Sequence, residues 1–142
     1  MIRQRGFRHA SGYLLVAVCL LPEVSACALL RIPKHEVSIV SEVVAPLSVK
    51  AREPFTITLY TEAGRPRIPD RVDVRVTGLS AEITPYDAID QSGVMRAGVV
   101  TTVRRAVSLQ FDAPGIGIIR IIGRGSQEQP TLHQETVNVL PP

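Results

Sequence analysis

The chain has 142 residues, with 16 Lys and Arg against 13 Asp and Glu and a formal net charge of +3. That length suits one domain, and so small an excess of charge gives no net field to draw in nucleic acid. With no tryptophan and 4% aromatic residues, flat rings on which a sugar or an unpaired base could stack are scarce.

The first segment, MIRQRGFRHASGYLLVAVCLLPEVSACA, carries Arg3, Arg5 and Arg8, then an unbroken apolar run from Tyr13 to Leu21 that Pro22 ends. Nine apolar residues are too few to cross a bilayer, which takes about 20, and they suit the core of a secretory signal. A retained anchor helix from Tyr13 to Leu30 is the weaker alternative, because it would hold Pro22 and Glu23 at its middle. Val24, Ser25, Ala26 and Cys27 resemble the lipobox of bacterial lipoproteins. The resemblance implies that residues 1–26 leave as a signal peptide and that Cys27 becomes an acylated first residue, a lipid anchor in the cell envelope facing the periplasm. Ala28 after the cysteine, instead of Asp, leans by the same resemblance toward the outer membrane. Ala26, Cys27 and Ala28 also form a small-x-small site for ordinary signal peptidase. Cleavage after Ala28 would give a soluble periplasmic or secreted protein without the thiol.

Cys19, the other cysteine, lies in the apolar run and leaves with the signal, so Cys27 has no partner for an internal disulfide. Loss of Arg3, Arg5, Arg8 and Glu23 leaves thirteen cations against twelve anions, close to neutrality. Residues 27–36 read as the lipidated cysteine and its tether, and residues 37–142 as the folded domain.

Beyond the signal the apolar residues repeat every second position. In FTITLYT, Phe55, Ile57 and Leu59 alternate with Thr56, Thr58 and Tyr60; VDVRVTG sets Val72, Val74 and Val76 against Asp73, Arg75 and Thr77; AVSLQFD repeats the pattern with Val107, Leu109 and Phe111. Such alternation predicts strands with one buried and one wet face. VSIVSEVV, VMRAGVVTTV, GIIRII and ETVNVL add β-branched runs. Turn chemistry separates the runs at Pro46, Arg52 to Pro54, EAGRPRIPD, DAPGIG and GRGSQEQP. In TPYDAIDQSG, Thr84 suits a cap, Pro85 the first helical position, Asp87 stands three after the cap and Gly93 can end the turn. A turn or two of helix is predicted there.

Seven or eight short strands in this length predict an all-β fold, a single antiparallel sandwich. KAREPFTITLY and VSLQFDAPGIGIIRIIGRG, the latter a strand, a Pro-Gly corner and a second strand, resemble bacterial immunoglobulin-like domains. The resemblance implies an immunoglobulin-like sandwich and carries no ligand or partner with it. The corner tyrosine of many such domains is missing, its place held by Ile116 to Ile119, and the cysteine pair and core tryptophan of antibody domains are missing too.

Groups for catalysis are sparse, and the chain is not read as an enzyme. Asp70, Asp73, Asp87 and Asp90 each have an ordinary explanation in a turn, on an outward face or at the expected helix. Gly115 and Gly117 lack the third glycine and the helix of a phosphate loop. His35 and His133 have no second ligand at a metal spacing, so neither a metal nor a cofactor is expected. A soluble module binding a small ligand or metal through His35, His133 or Met95 is the alternative function. Arg65, Arg67 and Arg71, with Arg104 and Arg105, are candidate contacts for anionic head groups or an acidic partner. Ile116, Ile118, Arg120 and Ile122 line the second face of a strand apolar on both sides. That face predicts either a central, covered strand or a surface for an envelope protein partner. The resulting expectation is a lipid-anchored, non-catalytic interaction or structural module.

Overall fold

The computed structural model describes residues 34–64, 66–90, 99–125 and 127–142, so the expected signal segment, Cys27, Arg65, Gly93 and Met95 lie outside the described residues. Nine strands and no helix occur among the described residues. β1 (Lys34–Val37) and β2 (Ile39–Val44) are halves of one extended run that parts at Ser38. β1 pairs antiparallel with β6 (Ser80–Ile89), whereas β2 pairs antiparallel with β4 (Phe55–Ala63). The run thus changes neighbours at Ser38. Its N–H donates to the Pro85 carbonyl at 2.9 Å and its carbonyl accepts the Arg124 N–H at 3.0 Å.

β5 (Arg67–Thr77) pairs with β6 through a two-residue turn in which Gly78 takes a φ of 59°, a conformation that favours glycine and keeps the hairpin twist. β7 (Thr101–Leu109) pairs antiparallel with β4 along its whole length. β8 (Gly115–Arg124) lies between β6 and β9 (Pro130–Leu140), and the short β3 (Ser48–Lys50) runs beside the end of β9.

The result is one curled, mixed sheet, and the antiparallel arrangement expected from sequence is corrected at three pairings. β2–β8, β3–β9 and β6–β8 are parallel. For β6–β8 the reason is β7: it stands between them in the chain but crosses to β4, so β8 returns beside β6 in the same direction. The curl brings Ile57 and Leu59 of β4, Val107 and Leu109 of β7 and Val40 of β2 into one cluster with Ala81, Ile83, Ile119, Ile121, Val137 and Val139 from β6, β8 and β9, closed by Phe111.

Four expectations are corrected in detail. The helix at Thr84 is strand β6, because Ala81, Ile83, Pro85 and Asp87 alternate inward and all are buried. Burial of that face outweighs the local capping signals, and Pro85 is tolerated because the Ser38 carbonyl beside it accepts the Arg124 N–H and needs no donor from Pro85. The alternation in VDVRVTG does not bury its valines, since β5 is an edge strand and Val74 and Val76 remain exposed. VMRAGVVTTV and AVSLQFD are not two described strands: Thr101–Leu109 is continuous. Lastly, β1 begins at Lys34, ahead of the start expected for the folded domain at residue 37.

Candidate interaction surface

β8 is central, and its alternation divides it cleanly. Gly117, Ile119, Ile121 and Gly123 face the core and are buried. The other face carries Ile116, Ile118, Arg120 and Ile122, of which Ile116 is 60% exposed, Arg120 is exposed and the other two are half-buried. Across β9 these four stand opposite Asn138, Thr136, Gln134 and Leu132; across β6, Ile118 and Arg120 stand opposite Ser80 and Glu82. The stripe therefore has apolar ends, Ile116 at one and Ile122 with Leu132 (62% exposed) at the other, around a polar middle at Arg120. Leu132 was missed in the sequence because its run, TLHQET, is polar; only its register with Ile122 brings it into the stripe.

The basic residues do not form one surface. Arg67 lies 2.6 Å from Glu128 and 3.6 Å from Glu36, so acidic neighbours already face its charge. Arg71 stands 3.2 Å from Asp73 and 3.8 Å from Asp70 and covers the Tyr86 ring at 4.5 Å, a cation–π contact. Arg104 points to solvent on β7, with no ion pair among the described residues. Arg105 is the correction: it is buried and cannot reach a head group. Its parity with Val107 and Leu109 was the signal in the sequence, since all three share the inward face of β7.

Arg105 is the hub of a buried polar node. Its guanidinium pairs with the Asp87 carboxylate and donates to Ser38 Oγ at 3.1 Å, Thr61 Oγ1 at 3.1 Å and the Tyr86 carbonyl at 2.9 Å. Ser38 Oγ donates to Asp87 at 2.8 Å. Strand alternation delivers each group: Thr61 is inward on β4 after Ile57 and Leu59, and Asp87 inward on β6 after Ile83 and Pro85. The node joins β4, β6 and β7 at the point where the first run changes neighbours. Asp87 is 0% exposed and charge-paired, so in this arrangement it meets no solvent-borne substrate, and the node serves cohesion between strands.

A second cluster lies at Glu36 on β1, 2.8 Å from Lys34, 3.1 Å from Arg124 and 3.6 Å from Arg67. The Lys34 hydrogen bond, opposed by partial burial and reinforced by Arg124, holds the Glu36 carboxyl below its ordinary value of 4.5. A carboxylate with a depressed folded pKa stabilises fully above its unfolded pKa, and that contribution is lost as pH falls through the folded value. Glu36→Gln is therefore expected to narrow the drop in urea midpoint between about pH 6 and pH 3 relative to the parent. An unchanged drop would mean that the cluster does not titrate with folding.

His35 Nδ1 lies 2.9 Å from Asp70 Oδ2, and His133 stands opposite Ile121 in the β8–β9 register. Among the described residues no group of three or more His, Cys, Asp or Glu side chains gathers to hold a metal. Asp70 and Asp73 are exposed beside Arg71 on β5, whereas Asp87 is buried.

The chain matches no family model, no curated protein and no solved structure. The functional reading rests on its residues alone.

Proposed function

We propose that this protein is a bacterial envelope lipoprotein in which acylated Cys27 holds a non-catalytic β module beside a membrane, there to bind other envelope proteins. The observation that carries the reading is the order of features along the chain: a basic start, a nine-residue apolar run, the Val24–Cys27 lipobox-like string, and then strand from Lys34. Seven backbone steps separate Cys27 from Lys34, a reach of at most about 25 Å. Two or three acyl chains hold a protein stably at a bilayer, each buried methylene contributing about 0.8 kcal/mol. By resemblance to lipoproteins, Ala28 favours the outer membrane, with the module facing the periplasm.

The module itself is proposed to be an immunoglobulin-like sandwich. Supporting this are the inward residues of β2, β4 and β7, which share one core with those of β6, β8 and β9, and an opening run that pairs with both β6 and β4. The parallel β6–β8 pairing departs from the simplest form of that architecture. The β8 stripe, with Ile116 and Leu132 most exposed, is the surface offered to a partner.

Intact mass and membrane fractionation of the expressed chain beside Cys27→Ala test the anchor. The parent is expected to carry an acyl mass increment and to sediment with membranes, and Cys27→Ala to lose both. A processed parent that begins at Leu29 in the soluble fraction would overturn the reading in favour of a soluble periplasmic module.

A further inference from the structure

We infer that the open edge of β5 pairs with the same edge of a second copy of this chain, antiparallel and across a two-fold axis at Val74. The inference stands apart from the lipid anchor and needs only the folded module. Among the described residues β5 has one hydrogen-bonded strand neighbour, β6. The carbonyl of Pro85, which stands opposite Val72, turns away from β5 to accept the Ser38 N–H. Val72 and Pro85 are thus a pair that exchanges no backbone hydrogen bonds, and by alternation Val74 and Val76 behave likewise. The N–H and C=O groups of all three valines therefore point out of the sheet edge, where a strand could take them up.

The side chains select the occupant and the register. Val74 and Val76 are 43% and 41% exposed, whereas Val72 packs against the core. On the opposite face of the strand stand Asp73 and Arg75, with Arg75 opposite Glu82 of β6. A two-fold axis at Val74 sets Val74 against Val74, Val72 against Val76 and Asp73 against Arg75 of the other copy, both ways round. Moving the axis to Asp73 or Arg75 opposes like charges. Moving it to Val72 runs the pairing into the irregularity between Pro69 and Val72, and moving it to Val76 carries it past the end of β5. A strand edge protected only by charge would repel its copy; this one is complementary to itself, as an isologous interface must be.

Thiol crosslinking of the full chain in cells tests both pairing and register. Val74→Cys, treated with a bismaleimide shorter than about 10 Å, is expected to give a covalent dimer. Val72→Cys and Val76→Cys are not, because each stands four residues, or about 14 Å, from its own copy. The parent chain, with Cys27 unaltered, is the control. In the Val74→Cys background, Asp73→Arg alone and Arg75→Asp alone each place like charges across the axis, and each is expected to reduce the dimer at least about tenfold. The combination of both with Glu82→Lys, which keeps an opposite charge beside position 75 within the chain, is expected to restore it. Unchanged thermal midpoints of the purified variants separate this from misfolding, and the restored combination does so independently. No crosslink at position 74, equal crosslinks at 72, 74 and 76, or a dimer indifferent to the single reversals would overturn the inference.

Discussion

Arg105→Met is expected to destabilise the fold by about 3–5 kcal/mol, because it leaves the Asp87 carboxylate buried without its counter-charge. Ser38 Oγ would remain as a donor to Asp87, while Thr61 Oγ1 and the Tyr86 carbonyl would each lose a donor. The cost comes from stranding these groups, not from the worth of the ion pair itself. Even in the intact node Asp87 Oδ2 accepts no hydrogen bond among the described residues, so the network is only partly satisfied and its net contribution is small. Replacing both members, Arg105→Met with Asp87→Leu, is therefore expected to recover most of the loss. Urea denaturation of the parent, both single variants and the double variant reads this as a coupling energy. A double variant as unstable as the sum of the singles would show that the node contributes by its charges and not by avoiding an unpaired one.

The sequence made the strands legible wherever both strand neighbours and a packed face agree with the alternation. FTITLYT reads correctly because β4 is paired on both edges and its inward residues meet the core, whereas AVSLQFD gives the inward parity of Val107 and Leu109 but not the start of its strand at Thr101. VDVRVTG read as half-buried and is not, since alternation reports which residues share a face but not whether anything covers it. TPYDAIDQSG failed for the opposite reason: capping residues are local signals, and the deciding fact, that Pro85 and Asp87 sit beside Ser38 and Arg105, joins residues far apart in the chain. The parallel β6–β8 pairing is likewise not legible, because it depends on β7 crossing to β4. Of the surface residues, Ile116 to Ile122 are legible as a strand apolar on both faces, whereas the burial of Arg105 shows only in its parity with Val107 and Leu109 and not in the RR dipeptide.

Phe111→Ala is expected to cost about 3–5 kcal/mol, the upper range for removing a fully buried aromatic ring. The ring is 0% exposed and sits tilted against Phe55 at 5.5 Å between centroids. Beneath it Gly117 leaves the space the ring occupies: a Cβ there would come within 2.7 Å of Phe111 Cε2. Gly117→Ala in the parent is accordingly expected to cost about 1–3 kcal/mol through overpacking. The two positions share one volume, so their effects should not add. Gly117→Val in the Phe111→Ala background places a strand-favouring side chain in the vacated space, and is expected to return about 1 kcal/mol of the loss. Urea unfolding of Phe111→Ala, Gly117→Val and the variant that combines them checks this, with simple additivity as the contrary result. The consequence reaches the surface, because Gly117 lies between Ile116 and Ile118 on β8 and the Phe111 carbonyl accepts the Arg52 N–H at 2.8 Å. A hole under Gly117 would loosen the strand that presents the outer stripe, so Phe111→Ala should weaken any contact made by Ile116 although neither Phe111 nor Gly117 is exposed to a partner.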